Sequence, residues 1–210
     1  MGNYVKYPRT PHLPWSPGAT SDDVFLVDTS GFENKQVVVT EKMDGENTTL
    51  YQDYMHARSI NSRHHESRNW VKGFHSTFAH LIPNGWRICG ENMYAIHSIQ
   101  YEDLPSYFIA FGIFDEQNRC LSWESFLTKC NELNLSTPKV FYSGVWDREK
   151  IQGLTYDAKF VEGYVVRLAD SFHYDEFYKS VAKCVRKGHV QSEKHWMHQM
   201  VRPNKLKGSS

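Results

Sequence analysis

Short apolar runs broken by polar, turn-forming residues occupy most of the chain. Gln36 to Lys42, with Val37, Val38, Val39 and Thr40, reads as a β-branched strand that stops at the turn pair Asp44-Gly45. Asn47 to Tyr51 follows as a second strand, so the two predict a hairpin or something close to one. Further strands are expected at Met55 to Ile60, Trp86 to Tyr94, Tyr107 to Asp115, Val140 to Tyr142, Val161 to Leu168 and Ser180 to Arg186. Between Glu66 and Leu81 the period changes: Trp70, Val71, Phe74, Phe78 and Leu81 recur at helical spacing until Pro83-Asn84-Gly85 closes the run. Ser122 is placed to cap a second helix with Trp123, Phe126, Leu127, Cys130 and Leu133 on one face, and a terminal helix is expected from about Val190 to Val201. Many strands with a few helices, not alternating regularly, predict an α+β fold of twisted antiparallel sheets flanked by helices.

Before the first strand, Tyr7 to Gly18 is too proline-rich for regular structure and is expected to lie as an extended arm pinned by Leu13 and Trp15. With 210 residues and no repeat or composition break, the chain is one substantial domain with enough length to bury a core. Hydrophobic residues at 40% and aromatics at 14% argue against disorder. The 24 basic and 24 acidic residues cancel, so total charge demands neither a polyanionic partner nor an acidic membrane. Their distribution is uneven: from Lys179 to Lys207 there are eight basic residues against one acid, Glu193. Four cysteines without a Cys-x-x-Cys pair read as buried reduced thiols of a cytoplasmic protein. The longest apolar run, Tyr107 to Phe114, is far short of a membrane span, and the first residues lack a signal-peptide core, so no membrane partner is expected.

Glu41-Lys42-Met43-Asp44-Gly45 puts a lysine at the end of an apolar strand, beside a tight turn whose glycine lets backbone approach a ligand. Alone, such a segment is an ordinary exposed turn. Its company changes the picture. Arg58 follows, then Gly90-Glu91, Tyr107 to Asp115, Glu162-Gly163-Tyr164-Val165-Val166-Arg167, and Ser180 to Lys187. In this order the segments resemble the collinear motifs of the covalent nucleotidyltransferase superfamily, the polynucleotide ligases and mRNA capping enzymes. Too few residues follow Lys187 for the OB-fold barrel that DNA ligases and capping enzymes carry after the last motif. The chain therefore looks most like an ATP-dependent RNA ligase of the phage RNA ligase 2-like class, reduced to its catalytic domain. The arm around His12-Leu13-Pro14-Trp15 also resembles small members of that class.

The resemblance implies an ATP-grasp-like ligase adenylation domain without an OB domain. It would span residues 1–207, with an N-terminal arm at 1–34 and a C-terminal helix and basic tail at 188–207. It implies that Lys42 attacks the α-phosphate of ATP and carries AMP as a phosphoramidate. Lowering a lysine from about 10.4 to about 7.5 takes roughly 4 kcal/mol, which a neighbouring cation such as Lys183 or a bound metal would supply. Lys183 would also orient the pyrophosphate. Glu91 matches the glutamate near the ribose and Glu162 the one serving the metal, and the pair suits Mg²⁺, with Mn²⁺ as a substitute. Phe111 would stack on adenine, Glu41 would accept from its amino group, Arg58 would hold phosphate or ribose, and Asp44 belongs to the same nucleotide site. The partners would be RNA ends bearing a 5′-phosphate and a 3′-hydroxyl. A DNA nick ligase, a capping guanylyltransferase and an inactive nucleic-acid binder of the same fold are the alternatives.

The pattern departs from relatives in two places. Phe111-Gly112 stands where Phe-Asp is common, with Asp115 three places on; and Lys183 is followed by Val185, leaving Arg186 or Lys187 to supply a second positive charge. Among eleven histidines, His64-His65 and His195-x-x-His198 lack a His-Glu-x-x-His motif or Cys/His quartet and read as solvated or phosphate-side residues. Arg58 to His65, with Arg68, reads as a polar, partly basic rim for an RNA end.

Overall fold

Three consecutive valines give β1 (Gln36–Glu41) a β-branched run buried on both faces, which only the centre of a sheet can satisfy. The computed structural model describes residues 4–188 and 200–208. After β1 come β2 (Glu46–Leu50), β3 (Met55–Ala57), α1 (Asn69–Phe78), β4 (Arg87–Asn92), β5 (Phe108–Phe114) and β6 (Arg119–Cys120). The chain continues through α2 (Trp123–Glu132), β7 (Val140–Val145), α3 (Arg148–Gln152), β8 (Gly163–Leu168), β9 (Phe172–His173), α4 (Phe177–Ser180) and β10 (Val181–Val185). The strands form two antiparallel sheets, one of order β10-β8-β1-β7 and one of order β3-β2-β4-β5-β6-β9. The α+β architecture expected from the strand pattern is therefore present. Among the described residues no helix is long and apolar enough to cross a membrane.

The expected hairpin is not formed. β1 pairs with β7 and β8, whereas β2 pairs with β3 and β4, so Lys42 to Gly45 crosses from one sheet to the other. Two anchors enforce the crossing. The Lys42 N–H donates to the Gly163 carbonyl at 2.9 Å, holding the lysine to the first sheet. The Asp44 carboxylate accepts the N–H groups of Ser98 and Ile99 and the Ser98 hydroxyl, each at 2.8 Å, from the loop after β4 of the second. A turn dipeptide that looks like a hairpin tip is thus drawn into long-range hydrogen bonds.

A bulge divides β5. Cys89 pairs with Gly112 and Gly90 with Ala110, leaving Phe111 without an opposite residue. The alternation shifts by one across it: Phe108, Ala110 and Ile113 face one core, while Phe114 joins another. In the first of these cores α1 and α2 cover the six-stranded sheet, with Val71, Phe78, Phe126 and Cys130 against Leu50, Ile88 and Ile113. The second lies between the sheets, where Val39, Val166 and Ala182 meet Cys89, Phe114 and Phe172. Ser122 caps α2 by accepting from the Ser125 N–H. The first helical run is shorter than its spacing predicts: it tightens to 3₁₀ geometry at Ala79, and Leu81 points to solvent. The four cysteines are buried and free. The terminal helix expected from about Val190 falls on residues 189–199, outside the described residues; Met200 and Val201 are not helical.

The arm is pinned as its composition suggests. Leu13 is fully buried, and the Trp15 indole N–H donates to the Tyr164 hydroxyl at 2.8 Å. Backbone bonds link Leu13 N–H to the Lys183 carbonyl, Lys183 N–H to the Pro11 carbonyl and Gly18 N–H to the Val185 carbonyl. The arm therefore covers the free edge of β10.

Candidate active site

A cavity of about 540 Å³ opens between the two sheets, within the range of small-ligand sites. The four-stranded sheet contributes Thr40, Val165, Arg167, Val181 and Lys183 to its lining, and the six-stranded sheet contributes Asn47, Glu91, Phe111 and Gly112. Lys42 stands one residue beyond the end of β1 and reaches into this space, with 23% of its side chain exposed. Its Nζ lies 2.6 Å from Glu162 Oε2, whose side chain is buried.

Glu162 precedes β8, where Gly163 makes a close approach: at φ +157°, a Cβ there would lie 2.0 Å from the Cys184 carbonyl oxygen. The Arg186 N–H donates to the Glu162 carbonyl at 2.9 Å and Gly163 pairs with Val185, so the end of β10 fixes the backbone at this glutamate. Glu91 projects from β4 beside Asn47 on β2. Gly45 packs against the Asn92 carbonyl and Glu91 Cγ so closely that a Cβ would clash with both, which keeps the Lys42 turn against Glu91.

Charge is concentrated here. Burial pushes the Glu91 carboxyl up to about 8, with Glu162, Asp44 and Glu46 adding to the rise against the pull of Lys42. Burial, with Lys42 adding to it, brings Lys183 down to about 8 against the pull of Asp23 and Glu162. Lys42 itself goes the other way. Burial alone would lower it, but Glu162, Glu91 and Asp44 outweigh that and hold its ammonium above the ordinary lysine value. The depressed lysine of the sequence argument is thus Lys183 in this state, because the carboxylates crowd Lys42 instead. Burial also raises Glu41, against Lys139.

Of the residues singled out from sequence, Glu41, Lys42, Asp44, Arg58, Glu91, Phe111, Glu162 and Lys183 all line this cavity. The bulge turns the Phe111 ring into the cavity, where the Tyr7 ring meets it edge-on at 5.0 Å. Lys187 is exposed in the turn after β10, and neither it nor Arg186 is among the lining residues. Asp115 sits in a turn, accepting the Arg119 N–H at 2.8 Å, while Gly112 lines the cavity. Arg68 does not belong to an exposed rim: it is 6% exposed and pairs with Glu46, its Nε donating to Oε2 at 2.7 Å. His195 and His198 lie outside the described residues.

Several lining residues carry no motif signal. Tyr7, Pro8 and Thr10 come from the arm, Ala95 to Ser98 from the loop after β4, and Met200 to Arg202 from the chain's last described segment. Arg167 was within reach, since alternate positions from Val165 and Lys183 face the cavity along β8 and β10. It donates to the carbonyls of Leu168 and Leu121, at 3.0 and 2.6 Å. Nothing local marks the terminal segment, which Asn204 secures: its Nδ2 donates to the Met93 carbonyl at 2.7 Å and its Oδ1 accepts the Tyr101 N–H at 2.8 Å.

Two carboxylates facing each other across the cavity, one raised by burial and by its acidic neighbours, suit a divalent cation that relieves their repulsion. Among the described residues no three His, Cys, Asp or Glu side chains form a complete metal cage. That donor set fits a hard cation shared between one or two protein carboxylates and a substrate phosphate.

The family model described as RNA ligase matches residues 35–185. The fold is similar to that of a Naegleria gruberi RNA ligase with PPi, with TM-score 0.56 and 19% identity over 79% of this chain and 54% of that one. Two mutants of the Naegleria gruberi ligase, each with ATP and Mn, give TM-scores of 0.51 and 0.52 at 16% and 14% identity. They match over 75% and 86% of this chain and 51% and 60% of theirs. The chain thus spans between half and three-fifths of the length of these solved structures. No curated protein matches it by sequence. With the matched segment running from the start of β1 to the end of β10 and holding the lysine, both glutamates and most of the cavity's lining, the chain belongs to the RNA ligase family.

Proposed function

We propose that residues 1–207 act as one adenylyltransferase unit that seals RNA ends with ATP, Lys42 carrying the nucleotide. The observation that supports this most is the amine of Lys42 inside a cavity walled by Glu91, Glu162, Lys183 and Phe111.

In the first step Lys42 Nζ forms a bond to the α-phosphorus of ATP as the bond to pyrophosphate breaks. The ammonium must first lose a proton, and Glu162 Oε2, at 2.6 Å, is the acceptor within reach. Lys183 faces the same space and would pair with the departing phosphates, while the Phe111 face would support the adenine and Glu41 its amino group. Bound at Glu91 and Glu162, Mg²⁺ or Mn²⁺ would offset the carboxylate charge that keeps Lys42 protonated and stabilise charge developing on the phosphoryl oxygens. In the second step a 5′-phosphate oxygen of RNA attacks the same phosphorus, the P–N bond breaks and the amine regains its proton. In the third, a 3′-hydroxyl attacks the RNA 5′-phosphorus, AMP leaves, and Arg58 would hold the phosphate being displaced. The Naegleria gruberi structures with ATP and Mn support this choice of nucleotide and metal.

Incubation with α-labelled ATP and magnesium is expected to give protein-bound AMP that acid releases and alkali does not. Lys42→Ala is expected to give none. Label on that variant, or none on the wild type, would overturn the assignment.

A further inference from the structure

A second groove, of about 610 Å³, lies beside the cavity and shares Tyr7, Pro8 and Arg58 with it. The remainder of its wall is Lys6, Arg9, Ser59, Tyr174, Asp175 and Tyr178. Three cations thus stand against one carboxylate, and that carboxylate already faces the His173 ring nitrogen at 3.4 Å. Lys6, Arg9 and Tyr178 are exposed, the last with half its surface free. The Tyr174 hydroxyl donates to the Lys6 carbonyl at 2.9 Å, which fastens the arm across the groove and sets the two cations of the arm opposite the tyrosines.

We propose that this groove seats a short stretch of single-stranded RNA running to the end that reacts at Lys42, a reading that rests on the ligase function proposed above. Cations spaced along a wall suit a phosphodiester backbone, and tyrosine faces suit bases freed from a stack. A duplex hides its bases from such rings. An acidic peptide would satisfy the cations but leave the rings without planar partners. Continuity through Arg58 places the strand's end at the phosphate-handling side of the cavity. The groove lies mostly on the arm and on the segment from β9 to α4, outside the lysine motif.

The test is fluorescence anisotropy with a labelled single-stranded RNA of about 12 nucleotides bearing a 5′-phosphate, within the span of common single-strand sites. The salt concentration is varied. The Lys6→Ala/Arg9→Ala double variant is expected to bind at least about tenfold more weakly at low salt and to flatten the log–log salt slope by about 1.4, two phosphate contacts' worth. Tyr178→Ala is expected to weaken binding about tenfold without changing the slope, and Tyr178→Phe to restore it, because the ring is what stacks. AMP labelling of Lys42 is expected to be equal in all these proteins, which also reports that they fold. Wild-type affinity and slope in both alanine variants would overturn the groove's role, as would RNA displacement by polyglutamate at equal charge concentration. Loss of RNA affinity in the variants with no AMP label on the wild type would retain the groove and overturn the ligase reading alone.

Discussion

Glu91 bears a cost in the ligand-free protein. Buried beside Glu162, Asp44 and Glu46, its carboxyl titrates near 8 instead of near its ordinary 4.5. Below 4.5 it is neutral whether the chain is folded or not, so it costs nothing. As pH rises the unfolded chain ionises first, and the fold loses stability progressively until about 8, where the cost is complete. Glu91→Gln removes that titration. Thermal melts without nucleotide are expected to place the variant above the wild type, by a larger margin at pH 8 than at pH 5.5, while AMP labelling falls at least about tenfold for a lost charge contact. Equal margins at both pH values would refute the assignment. The carboxylate pair was legible because residue type and order carry it. The direction of the Lys42 shift was not, because it depends on how many carboxylates converge from β4, the turn and the segment before β8.

Elements decide where those side chains point, and two glycines separate site from scaffold. Gly163→Ala puts a methyl group 2.0 Å from the Cys184 carbonyl and must prise β8 from β10, the two strands that flank Glu162 and Lys183. Chemical denaturation is expected to show a loss of more than about 2 kcal/mol, with labelling lost as well. In α1, Gly73 is exposed and a Cβ there meets nothing within 4 Å. Gly73→Ala is expected to stabilise by about 0.5–1 kcal/mol and leave labelling unchanged. Strand existence was legible from β-branched and aromatic runs such as Val37 to Val39 and Phe108 to Phe114. Partnership was not: Asp44-Gly45 has hairpin chemistry, and contacts more than fifty residues away, from the Ser98 and Ile99 amides and the Ser98 and Tyr101 hydroxyls, draw it across to the other sheet. The bulge at Phe111 was equally hidden, since an extra residue in one strand is defined by its neighbour's register.

For the whole molecule, the outcome depends on a contact between Tyr101 and Asn204, 103 residues apart. Asn204 is 1% exposed and joins Met93, Ala95 and Tyr101, which tie the loop after β4 to the last described segment. Asn204→Ala leaves buried backbone groups without partners, at about 1–3 kcal/mol. A protein of this size is expected to melt about 2–10 °C lower as a result. Hydrogen exchange is expected to speed up at Tyr101 and Ile96, whose amides bond to this segment. Unchanged exchange there would mean that the segment does not brace the loop. The basic tail was visible as composition, but its docking was not, because it rests on Asn204 and on backbone bonds to Tyr94, Ile96, Tyr101 and Leu104 in a segment with no periodicity.

The arm's attachment to β10 has a consequence for the order of assembly. Pro11, Leu13 and Gly18 are made well before their partners Lys183 and Val185 on β10, which come about 170 residues later, and Met200 to Arg202 come later still. Closing so long a loop precedes any gain from the contacts it makes. The pocket's walls therefore come together only after β10 has been made, and a nascent chain halted before β10 has Lys42 without its enclosure.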